Sequence, residues 1–109
     1  MRQSYQRRLT ALEAEYTSLL RDALRRCANG YWGLFAHNKT LFGRSRDDWA
    51  DLSDLATEVE RLRQRLGYAD AFAPHERLLR MRGKRDSNTP GEPVLARQWL
   101  KELGSSAQD

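Results

Sequence analysis

Tyr5, Leu9, Leu12, Tyr16, Leu19 and Ala23 recur along the chain at alternating steps of four and three. An apolar repeat of about 3.5 residues is the seam of an α-helix lying lengthwise on a partner, and a strand or loop does not keep it. The spacing predicts a first helix over about 4–28. From Leu19 onward, Leu20, Leu24, Cys27 and Ala28 widen the seam into a broad stripe, the form that faces a globular core. The C-terminal half of this helix is therefore expected inside the domain. The N-terminal half, with Tyr5, Leu9, Leu12 and Tyr16, reads as a surplus partner-binding seam, open to another protein or to a second copy in a homodimer. The competing expectation is that the last helix of the chain folds back over it. Asn29-Gly30 supplies the stop, since both residues tolerate the left-handed conformation that ends helices.

Leu52, Leu55, Val59, Leu62 and Leu66 form a second seam, and Gly67 closes it. Ser45 with Asp48 resembles a capping box with the shorter acid in place of Glu, so this helix is expected over about 46–66, antiparallel to the first. Its acids, from Asp47 to Glu60, precede Arg61, Arg63 and Arg65. That order complements the helix dipole at both ends; the rival reading is an acidic docking face. A short third helix is expected over about 74–82, with Pro74 in its first turn, Phe72, Leu78, Leu79 and Met81 as its apolar residues, and Gly83 closing it. The stretch 84–93, KRDSNTPGEP, is the least structured by composition. A fourth helix is expected over about 93–103, with Leu95, Trp99, Leu100 and Leu103 on one face and Gly104 at its end. Thr89 with Glu92 forms a second capping pattern, with Pro90 at the first helical position.

Between the two long helices lies NGYWGLFAHNKTLFG, residues 29–43, which holds four of the ten aromatics and three of the seven glycines. Surface loops are normally polar, so an aromatic one has to fold onto the helices or be covered by a partner. Trp32 and Phe35 are expected to pack on the C-terminal half of the first helix. No strand alternation, internal repeat or low-complexity tract is present. The fold class is all-α: a small bundle of two long antiparallel helices and two short ones, with an aromatic, glycine-rich loop. The 109 residues form one domain over 1–104 with a frayed tail at 105–109. That length suffices for a modest core without metal or disulfide.

The charge balance is mild. Nineteen Lys and Arg face fifteen acids for a net charge of +4, which permits an anionic partner without requiring one. A mean hydropathy of −0.82 suits helices with one solvated side. No apolar run approaches the ~20 residues that span a bilayer, the N-terminus lacks a signal-like apolar run, and the single Cys27 forms no intrachain disulfide. These features point to a soluble, cytoplasmic protein with no membrane role.

No catalytic set stands out. Cys27 would need a thiolate and a neighbouring base to act as a nucleophile. It falls on the apolar stripe of the first helix, and the only histidines, His37 and His75, lie in no cysteine-hydrolase pattern. Cys27, His37 and His75 lack the paired spacing of a zinc site, so no metal is expected. The glycines near Gly30 lack the Gly-Lys-Ser/Thr ending of a phosphate loop, so no nucleotide or other cofactor is implied. Asp51 and Asp54 sit on the exposed side of the second helix, without the pocket that would raise one carboxyl for acid catalysis. No motif is specific enough to point to a family.

The basic cluster Arg77, Arg80, Arg82, Lys84 and Arg85 carries no acid between its members, and Arg77, Arg80 and Lys84 share a face if the helix continues. It can hold an anionic partner through phosphates, or it is a solvated helix end that meets the dipole favourably. The roughly ten residues between the third and fourth helices are too many for the 3–4-residue turn of a helix-turn-helix. The function expected from these features is that of a non-catalytic interaction protein: an adaptor, inhibitor or regulatory subunit that binds another protein. The alternative is a nucleic-acid-binding protein that uses Arg77 to Arg85. No small-molecule substrate is evident.

Overall fold

A computed structural model describes residues 2–29, 38–39, 45–46, 48–82 and 93–107. It is an all-α bundle of α1 (Arg2–Ala28), α2 (Asp48–Arg65), α3 (Ala73–Arg82) and α4 (Pro93–Ala107). The expected helices are all present. Among the described residues the extended pairing is a two-residue antiparallel ladder, β1 (Asn38–Lys39) with β2 (Ser45–Arg46), in which Asn38 faces Arg46 and Lys39 faces Ser45.

That ladder corrects the expected start of the second helix. Ser45 is extended, so it does not cap α2, and the helix begins at Asp48. A short polar side chain at a helix start is a weak signal when the residue can also pair across a tight ladder. The other end follows the sequence. Gly67 adopts φ +86°, its N–H donates to Gln64 O at 3.1 Å, and Tyr68 N–H donates to Arg63 O at 2.9 Å. This is a Schellman closure, and only glycine takes that φ without strain. The Arg63 guanidinium lies over the Tyr68 ring at 4.9 Å and donates to Asp70 O at 2.8 Å. It thereby ties the end of α2 to the turn into α3.

The fourth helix differs from expectation. It runs through Gly104 to Ala107. A glycine inside a helix costs about 1 kcal/mol relative to alanine, which lowers stability but does not end the helix. Pro93 is its first residue, where a missing N–H is harmless. The Thr89, Pro90 and Glu92 capping pattern lies outside the described residues, and so does the aromatic stretch with Trp32 and Phe35.

α1 is the element on which the others pack. α2 lies antiparallel to it in a register fixed at both ends. Arg26 Nη2 meets Asp48 Oδ1 at 2.8 Å. At the opposite end Arg65 Nη1 donates to the Tyr5 hydroxyl at 3.1 Å and Arg2 Nη2 donates to Leu66 O at 3.2 Å. α4 starts beside the end of α1, where Arg97 Nη1 donates to Ala28 O at 2.9 Å, and runs back along α1. The core gathers Leu9, Tyr16, Leu20, Leu24, Leu52, Val59, Leu78 and Trp99, all buried, with Cys27 among them. On α4 Ala96 and Trp99 are buried, and Leu95 is exposed.

This register corrects the reading of Tyr5, Leu9, Leu12 and Tyr16 as an open seam. Leu9 and Tyr16 are buried within the chain, and Tyr5 and Leu12 pack against the same core. The end of α2 lies beside the start of α1, where Arg2 Nη2 donates to Leu66 O and Arg65 Nη1 to the Tyr5 hydroxyl.

Candidate functional site

Where α1, α2 and α3 meet, the core contains a polar centre. Tyr16 comes from the middle of α1, Trp49 from the first turn of α2, and Phe72 and His75 from the entry to α3. Fully buried, the Tyr16 hydroxyl lies 2.8 Å from His75 Nδ1. The Phe72 ring meets Tyr16 edge-on at 5.0 Å between centroids, and the Trp49 indole stacks on His75 at 5.6 Å and 19°. Offset and edge-to-face aromatic pairs at such distances are worth ~1 kcal/mol beyond the area they bury. Burial raises the Tyr16 phenol above its ordinary value and lowers the His75 imidazole below its own, while the Glu60 carboxylate partly restores His75. Both groups are thereby held neutral around pH 7.

His75 also lines an open cleft of about 420 Å³ on the outer side of α2, together with Ser53, Thr57, Glu60, Arg61 and Gln64. Glu60 is held there by the Phe72 N–H, at 3.3 Å from Oε2, and by Arg63 Nε, at 3.6 Å from Oε1. In sequence His75 lacks ligand spacing. Its partner stands 59 residues away on another helix, and no local pattern reports such a pairing.

A second missed feature is the Arg26–Asp48 pair. Asp48 is the first residue of α2 and completely buried. The sequence suggests a solvated acid at a helix start; the structure places its carboxylate against Arg26 of α1. The other acids of that run behave as expected: Asp51 and Asp54 are exposed.

The basic cluster is divided. The Arg77 guanidinium binds both Glu102 oxygens, at 3.2 and 2.7 Å, and lies over the Trp99 ring at 4.4 Å. This clamp joins α3 to α4 and holds the Glu102 carboxyl below its ordinary range. Arg77 is thus engaged within the chain. Arg80 is exposed and reaches Glu76 only loosely, at 3.8 Å. Arg82 ends α3, and Lys84 and Arg85 lie outside the described residues. Exposed apolar side chains occur within and after this stretch: Leu79 on α3 is 48% exposed, and Val94 and Leu95 at the start of α4 are 68% and 38% exposed.

Among the described residues no group of three or more His, Cys, Asp or Glu is placed to hold a metal ion. No described helix is long and apolar enough to cross a membrane. No protein-family model, curated protein or solved structure matches this chain.

Proposed function

We propose that this is a non-catalytic helical interaction protein of the cytoplasm, an adaptor, inhibitor or regulatory subunit, that binds an acidic protein partner through its α3–α4 side. The observation behind the reading is the exposure of Leu79, Val94 and Leu95, three of the four large apolar side chains exposed among the described residues. Leu79 falls within the basic stretch and Val94 and Leu95 follow it, and Arg80, Arg97 and Lys101 are exposed on the same two helices. Apolar anchors with cationic surroundings suit a partner that presents apolar side chains among carboxylates. The commitment of Arg77 to Glu102 and Trp99 weighs against nucleic acid as the main partner, because it removes one cation from the phosphate-binding set.

The test is capture from the native host with the wild type and with Leu79→Ser/Val94→Ser, identified by mass spectrometry. The reading expects an acidic protein retained by the wild type and lost by the variant, with helical circular dichroism unchanged. Equal retention by both would exclude this surface. Binding to generic duplex or single strands that weakens steeply with salt would favour the nucleic-acid alternative.

A further inference from the structure

His75 stands in the first turn of α3 with α1 on one side and α2 on the other. A phenol hydroxyl carries one hydrogen and, once buried, needs an acceptor for it. At 2.8 Å, His75 Nδ1 is that acceptor for Tyr16, provided the ring is neutral with its proton on Nε2. A second proton on the ring turns Nδ1 into a donor and strands the Tyr16 hydrogen in the core. We infer that His75 is a proton-operated latch: neutral, it fastens the first turn of α3 to Tyr16 on α1; protonated, it leaves Tyr16, turns toward Glu60 on α2 and frees that turn from the bundle.

The surroundings supply both states. On the α1 side the facing titratable group is Tyr16. On the α2 side they are Glu60, whose charge favours the protonated imidazole, and Arg61, which lines the same cleft and opposes it. On α3 itself Glu76 is drawn toward Arg80 at 3.8 Å. Glu60 also accepts the Phe72 N–H at 3.3 Å. Drawing its carboxylate to His75 therefore weakens a hydrogen bond at the residue that leads into α3. The rest of α3 stays anchored by buried Leu78 and by the Arg77 clamp on α4, so the loosening is local. The cost of protonating a half-buried ring confines the open state to acid, below the ordinary imidazole value of 6.5.

The experiment uses the full chain with His37→Gln, which leaves one imidazole. NMR follows the His75 ring proton against pH, and amide hydrogen exchange follows residues 76–79 of α3 and Leu20 and Val59 of the core, each corrected for the intrinsic pH dependence. The latch predicts that α3 exchange accelerates along the His75 titration, by up to roughly tenfold per unit separating the open- and closed-state pKa values, while Leu20 and Val59 stay protected. His75→Gln keeps an acceptor for Tyr16 and should hold α3 closed at every pH. Tyr16→Phe should raise the His75 pKa and flatten the response. Exchange of α3 that ignores the titration, or that rises together with Leu20 and Val59, overturns the latch. An unchanged His75 pKa in a folded Tyr16→Phe protein overturns the role of the hydroxyl.

Discussion

Tyr16 on α1 and His75 on α3, 59 residues apart in sequence, share a 2.8 Å hydrogen bond and an edge-to-face ring contact at 5.6 Å. The contact ranks the substitutions at position 16. Tyr16→Phe keeps the rings packed and removes the hydroxyl, and its imidazole partner is partly exposed, where water can replace the phenol. A loss of about 1 kcal/mol is expected, the net worth of one hydrogen bond. Tyr16→Ala removes the ring from beneath Phe72 and His75 and should cost ~3–5 kcal/mol. Urea unfolding followed by circular dichroism measures both.

The same pair sets a pH profile. His75 has a folded pKa below its ordinary 6.5, so the unfolded chain binds the proton more readily. The stability from neutral His75 is present above that value and declines as pH falls through 6.5 toward the lowered folded value. Tyr16 is displaced in the opposite sense. Its folded pKa lies above the ordinary 10.0, so its contribution is present below pH 10 and declines as pH rises beyond. Thermal melts across pH should therefore give a plateau with shoulders at both ends, and His75→Gln should remove the histidine component of the acid shoulder.

Arg26 and Asp48 make a third test. Removing one member of a buried ion pair typically costs ~3–5 kcal/mol. Arg26 retains some access to water, so Asp48→Ala should fall near the lower end. Replacing both members together, as Arg26→Met/Asp48→Leu, should recover much of the loss. A double variant as unstable as the sum of two such singles would contradict this pairing. Chemical denaturation of the three variants supplies the numbers.

The helices were legible in sequence because their signals are local. The seams of α1 and α2 repeat within one helix, and Gly67 stops α2 through its own φ of +86°. The start of α2 was not legible, because Ser45 serves equally as a cap or as a ladder residue, and pairing with Lys39 decides it. Leu95 and Ala96 show a related limit. The larger residue was the natural core candidate, yet rotation of α4 toward α1 buries Ala96 and exposes Leu95. Tyr16–His75, Arg26–Asp48 and Arg77–Glu102 each join different helices, and a one-dimensional pattern carries no record of such pairs.

Arg77 separates a clamp from a binding cation. Arg77→Lys loses the bidentate fork and the flat contact on Trp99, so α3 should become more accessible to proteolysis. Arg80→Gln, at an exposed side chain 3.8 Å from its acid, should leave proteolysis unchanged and weaken any anionic partner. Limited chymotrypsin digestion of the two variants, with partner binding measured in parallel, distinguishes the roles.

Leu9 is buried within the chain, and Leu12 packs against the same core. Leu9→Glu/Leu12→Glu measured by light scattering and circular dichroism tests this directly. Burying unpaired carboxylates costs several kcal/mol per ion, against a total stability of ~5–15 kcal/mol, so the double variant should lose its helical signal. A double variant that keeps its helicity while a dimeric wild type becomes a monomer would show that the seam faces a second chain, and would contradict the packing described above.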